Sequence, residues 1–104
     1  MIKRIVRLTF QADKVAAFQE LFEATKSKIR AREGCHHLEL LQQTDQPNIF
    51  FTFSFWENEA ALERYRHSEL FKNTWKQTKA LFADKPHAWS TTQVSSTDTL
   101  WRND

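Results

Sequence analysis

From Ile2 to Phe10 the chain alternates, with Val6, Leu8 and Phe10 on one side of an extended backbone and Ile5, Arg7 and Thr9 on the other. Period two is the mark of a strand. After Ala12 the spacing changes to three and four: Val15, Phe18, Phe22, Thr25 and Ile29 form one helical stripe that Leu21 widens. Asp13 is the expected N-cap. Lys26, Lys28, Arg30 and Arg32 suit the negative end of the helix dipole, and Gly34, the one glycine of the chain, is expected to act as the C-cap. Cys35 to Gln43 reads as a second strand, Thr44 to Asn48 as a turn, and Ile49 to Trp56 as a third strand. In that third strand Ile49, Phe51, Phe53 and Phe55 face one way and Phe50, Thr52, Ser54 and Trp56 the other, so one side is wholly apolar. This predicts a central strand. Asn58 is placed to cap a short helix running through Arg66, and Ser68 to cap another from Glu69 to Ala83, with Phe71, Trp75, Thr78 and Phe82 on one stripe. Pro86 stops it. His87 to Val94 fits a last strand in which Trp89 points opposite to Ala88 and Ser90.

The element order is therefore βαββαβ, two strand-helix-strand halves without an internal repeat. It predicts an α+β domain of ferredoxin-like architecture over residues 1–95, a four-stranded antiparallel sheet with helices on one face, followed by a polar tail over 96–104. Helices on one side leave the opposite sheet face, with its phenylalanine row, to be covered by something else. A second copy of the chain is the simplest cover, so a homodimer is expected, with Leu100 and Trp101 of the tail packing on the partner.

Composition narrows the function classes. A chain of 104 residues has room for one domain, and 40% hydrophobic with 27% charged residues is an ordinary globular balance. A net charge of +2 without a like-charge block argues against nucleic acid or a membrane as partner. Cys35, the single cysteine, excludes an intramolecular disulfide and points to a reducing, cytoplasmic setting. Lys3, Arg4 and Arg7 interrupt the N-terminal apolar residues, so no signal peptide is expected, and no run is long enough to span a membrane. Nine Phe and four Trp beside one Tyr and one Met are more large rings than a small monomeric core hides, which directs attention to a pocket or a subunit interface.

Several side chains invite a chemical reading. Cys35, His36 and His37 are metal-ligand types, but strand alternation sets His36 apart, and Cys35 with His37 supplies only two ligands. No metal is expected. No dinucleotide glycine fingerprint or phosphate loop is present, so no cofactor is expected either. The Phe51, Phe53 and Phe55 row reads first as core, with the wall of a substrate site as the alternative. Tyr65, one turn after Leu62, faces the sheet, where its phenol either orients a hydroxylated ligand or packs with the hydroxyl at the edge. Trp75 shares a stripe with Phe71 and Phe82 and reads as core. The same element order occurs in RNA recognition motifs, but the segment N-I-F-F-T-F-S-F-W lacks their basic-glycine opening and internal glycine.

The segment W-E-N-E-A-A-L-E-R-Y-R-H-S-E-L-F-K, Trp56 to Lys72, ends a strand and opens a helix. With the long first helix ended by Gly34 and the S-x-x-F turn of Ser68 to Phe71, it resembles the antibiotic biosynthesis monooxygenase family. The resemblance covers element order from about Ile2 to Val94. It implies a dimer whose sheets close into a shared α+β barrel, and oxidation of an aromatic or polyketide substrate by oxygen without metal or organic cofactor. Where that family carries a histidine nine positions after the strand-ending tryptophan, this chain has Tyr65. His67 lies two residues further on, more than half a turn around a helix. The haem-degrading branch of the family uses an asparagine, a tryptophan and a histidine where this chain has Val6, Tyr65 and Trp75, so haem is not expected as substrate. The expectation is a cofactor-independent monooxygenase of a small phenolic or quinol-like molecule. Tyr65 orients the substrate, His67 or His37 handles the proton, and Phe53, Trp56 and Trp75 form the walls. The alternative is a non-catalytic dimeric module of the same fold that binds a small molecule or a partner.

Overall fold

The computed structural model describes residues 1–98; the contacts expected of Leu100 and Trp101 lie outside them. The elements are β1 (Ile2–Thr9), α1 (Val15–Arg30), β2 (Cys35–Gln42), β3 (Ile49–Trp56), α2 (Glu59–Arg66), α3 (Glu69–Lys79) and β4 (His87–Thr91). The strands form one antiparallel sheet in the order β2-β3-β1-β4, the ferredoxin-like arrangement that the element order predicts.

Register explains which residues meet. Leu8 pairs with Phe50, Val6 with Thr52 and Arg4 with Ser54, and these positions turn toward the helices. Ile5, Arg7, Phe51, Phe53 and Phe55 turn away from them. At the edge, Trp89 pairs with Ile5 and so belongs to the face that the helices leave open. The core on the helix side divides into two clusters. Ile29, Cys35, Trp56, Ala61 and Leu62 occupy one end, and Leu8, Phe10, Phe18 and Phe50 the other. Phe10 and Phe18 stack at 4.0 Å, and Phe50 meets both edge-on.

The caps expected of Asn58 and Ser68 form. Asn58 Oδ1 accepts from Ala61 N at 2.9 Å and Ser68 Oγ from Phe71 N at 3.1 Å, each satisfying an orphan amide at a helix start. Asp13 does not cap; it lies inside a short 3₁₀ turn, Ala12–Lys14, and α1 begins after it without a side-chain cap. Helix α3 stops at Lys79, four residues before its expected end. There the backbone is taken up by β1: Gln11 N donates to Leu81 O, Ala83 N to Thr9 O, and Phe82 bridges Phe10.

Gly34 is not the cap of α1, whose C-cap is Ala31. It is the third residue of a turn closed by Cys35 N donating to Arg32 O, with φ +84°, the sign that a type II turn requires there. A Cβ at this position would stand 2.5 Å from Ala61 Cβ. Gly34→Ala therefore combines left-handed backbone strain with a clash against α2, and a loss of at least about 2 kcal/mol in denaturant unfolding is expected. A change below half that value would show that the α2 contact yields freely.

Candidate functional site

On its helix-facing side β3 reads Phe50, Thr52, Ser54, Trp56: large at both ends and small in the middle. The large rings anchor the two core clusters, and the small hydroxyl residues between them do not reach the helices. What remains is a cavity of about 120 Å³ between the sheet, α1, α3 and the end of α2. Val6, Leu8 and Leu38 form part of its floor with Thr52 and Ser54; Phe18, Phe22 and Thr25 close it from α1, and Tyr65, Phe71, Trp75 and Thr78 from the other helices.

The polar groups of this lining are few. Thr25 Oγ1 donates to Leu21 O at 2.9 Å and Thr78 Oγ1 to Thr74 O at 2.7 Å, so both hydroxyl protons serve their own helix. Ser54 Oγ accepts from Trp56 Nε1 at 3.0 Å, which leaves its proton for another acceptor. Thr52 and Thr74 make no side-chain hydrogen bond among the described residues.

Among the described residues, Tyr65 is the only ionisable side chain in the lining. Its ring stacks on Trp56 at 4.9 Å and meets Phe71 edge-on at 5.2 Å, and Phe71 stacks on Trp75 at 5.8 Å. These contacts make one continuous aromatic wall. Burial, and after it Cys35, raises the pKa of the phenol; Arg32 offsets part of that rise. At neutral pH Tyr65 is therefore a hydrogen-bond donor and not a base.

The structure separates the other candidates. Trp75 lines the cavity with Tyr65, and Trp56 lies beneath Tyr65 at 1% exposure, supporting the wall from behind. Phe53 is on the opposite face of the sheet, edge-on to Phe55 at 5.0 Å. His37 is there too, 4.8 Å from the Phe55 ring, with Nε2 3.1 Å from Glu39 Oε1. His67 is the C-cap of α2 and 77% exposed, 3.4 Å from Glu63 Oε2, so its imidazole faces water. The expected sharing of one side by Cys35 and His37 fails because of a β-bulge. Cys35 pairs with Trp56 and His37 with the next residue back, Phe55, so His36 is the extra residue and its neighbours point to opposite faces. Cys35 is buried in the core, and burial raises its pKa. Thr25, Thr52, Ser54, Thr74 and Thr78 were not chosen as site residues from the sequence. Their signal is the interruption of an aromatic pattern by hydroxyl residues at the same level of sheet and helices.

Comparison with solved structures places this geometry among known relatives. An antibiotic biosynthesis monooxygenase superposes with a TM-score of 0.86 at 19% identity, over 91% of this chain and 100% of the other. Rv0793 from Mycobacterium tuberculosis gives 0.84 at 21%, over 93% and 98%. SnoaB from Streptomyces nogalater, a cofactor-independent oxygenase determined in a mutant form, gives 0.83 at 19%, over 92% and 95%. At such identities these likenesses establish the fold alone. Among curated proteins none matches the sequence significantly. The sequence model of antibiotic biosynthesis monooxygenases matches residues 1–77, from β1 to the last turns of α3, and thus takes in most of the cavity wall. With that match across most of its length, this chain belongs to the antibiotic biosynthesis monooxygenase family.

Proposed function

We propose that the protein is a cofactor-independent monooxygenase of a single-ring phenol or quinol, and that it acts as a homodimer. The observation that carries the reading is the cavity, apolar and aromatic, with a phenol and a few hydroxyls as its polar groups. Such a site holds a flat ring, excludes water and offers hydrogen bonds to ring oxygens. Size favours small substrates: an apolar cavity of about 150 Å³ takes one benzene ring. A cavity of about 120 Å³ suits a quinol better than a tricyclic anthrone. The same reading disfavours haem as substrate, since Val6 and Trp75 offer iron no ligand and a porphyrin exceeds one ring.

The electrons come from the substrate. Hydroquinone and one O₂ give hydroxybenzoquinone and one water: one oxygen atom joins the ring, the other leaves as water, and the quinol supplies all four electrons. Tyr65, kept protonated, donates to a substrate oxygen and orients the ring. His67 and His37 point elsewhere, so the phenol gives its proton to solvent before it enters the cavity, and the rate follows the ionisation of the substrate itself.

An oxygen electrode with hydroquinone, a naphthalenediol and an anthrone tests this. Expected is consumption of hydroquinone above the buffer rate, one O₂ per quinol without hydrogen peroxide, and none with anthrone. The rate should climb from pH 7 to 9, without the levelling above pH ~7.5 that a histidine base of ordinary pKa would give. Tyr65→Phe should lower it by about tenfold. If no compound reacts faster than in buffer, the non-catalytic binding module replaces the oxygenase.

The homodimer is supported by the sheet face that the helices leave open. It carries Phe51 and Phe53, with Leu41 and Trp89 each 47% exposed. Arg7 Nε is also on this face, buried and without a hydrogen-bond partner among the described residues. A second sheet laid on this face would cover the rings and bring acceptors to Arg7.

A further inference from the structure

Beside the aromatic wall, on the side away from α1, lies a second cleft of about 240 Å³. Val6, Phe71 and Trp75 form its inner side as they form part of the first cavity, and Leu62 and Pro86 extend the apolar surface. Two guanidinium groups, Arg4 from β1 and Arg66 from α2, line it as well.

Both arginines have donors to spare. Arg4 Nη1 donates to Ser90 Oγ at 2.9 Å, which ties its head to β4, and Arg66 Nη1 donates to Glu63 Oε1 at 3.0 Å. Each guanidinium carries five N–H donors in a planar fork, and no other side-chain hydrogen bond of either is formed among the described residues. Like charges lining one apolar cleft repel. Burial, and after it the charge of Arg66, pushes the Arg4 pKa down, while Glu59 and Glu63 oppose part of this. Arg4 nevertheless stays charged at any physiological pH.

We propose that this cleft is a binding subsite for an aromatic carboxylate, its ring against Phe71 and Trp75 and its carboxylate held by Arg4 and Arg66. A carboxylate relieves the repulsion and matches the fork geometry of guanidinium. The apolar walls select a ring over a free inorganic anion. Glu59 and Glu63 already offset part of the positive charge, which favours a singly charged carboxylate over a doubly charged phosphate. The subsite does not depend on the oxygenase reading, because binding alone reports it.

The test is titration of the whole protein with benzoate and with its neutral isostere benzamide, followed by Trp fluorescence and by calorimetry. Expected is saturable benzoate binding, with benzamide at least about tenfold weaker. Arg66→Gln and Arg4→Gln should each weaken benzoate by about tenfold and leave benzamide unchanged. Arg66 is exposed, so its variant keeps the test valid should Arg4→Gln disturb the sheet. Equal affinity for the two ligands, undiminished benzoate binding by Arg66→Gln, or no saturable benzoate binding at millimolar concentration would each overturn the proposal.

Discussion

Trp56→Ala is expected to cost the domain about 4 kcal/mol, close to the largest effect a single substitution in a core produces. Trp56 is 1% exposed, joins a buried cluster with Ile29, Cys35, Ala61 and Leu62, and carries the stacked ring of Tyr65. Truncation removes the indole from that cluster, leaves a void that the sheet cannot close, and deprives Ser54 Oγ of its donor. For a domain of this size the loss corresponds to a melting point lower by roughly 15 to 30 °C. Trp56→Phe keeps a ring under Tyr65 and should cost about half as much or less. Thermal unfolding at fixed protein concentration checks the order parent, Phe, Ala. An alanine variant within about 1 kcal/mol of the parent would mean that this end of the core is not packed as described.

The second large effect is on assembly. Phe53→Asp is expected to turn the proposed dimer, twice 12.4 kDa, into a monomer of 12.4 kDa at micromolar concentration. Phe53 lies on the open sheet face between Ile5 of β1 and Glu39 of β2, its partners in register. In a two-fold interface each substitution counts twice. Two unpaired carboxylates buried between sheets cost several kcal/mol each, which is at least about a thousandfold in dissociation constant. Phe53→Leu, apolar and smaller, should remain dimeric. Sedimentation equilibrium reads the result, with far-UV circular dichroism to show that the aspartate variant stays folded. A monomeric parent, or an aspartate variant that remains dimeric, would remove the sheet-to-sheet interface from the picture.

Much of the fold was legible because its signals are local. The alternation of Ile49 to Trp56, the stripe of Val15 to Ile29 and the caps at Asn58 and Ser68 each depend on residues within a few positions of one another. Gly34 was expected to cap α1, and its place as the residue on which α2 rests was not legible, since Ala61 lies far along the chain. The end of α3 was misjudged for the same kind of reason. Nothing between Glu69 and Ala83 forbids a longer helix, but the end of β1 takes the backbone at Leu81 and Ala83.

The candidate site divides in the same way. Periodicity alone placed Tyr65 toward the sheet and Trp75 on the buried stripe of α3, and the two do line one cavity. His67, His37 and Phe53 were chosen for their chemistry, and side-chain direction decided their positions: a helix end turned His67 to water, and the sheet put the other two on its far face. One extra residue at His36 parted Cys35 from His37, because a bulge reverses the alternation on which every strand assignment rests. The sequence by itself thus determined the element order, the helix caps and the two faces of β3, since turns, caps and periodicity act between near neighbours. Only the tertiary structure decided that the core splits around Thr52 and Ser54, leaving a cavity, and that Arg4 and Arg66 line one cleft. Those features arise where side chains distant in the chain meet or fail to meet, and packing across such distances has no signature in local spacing.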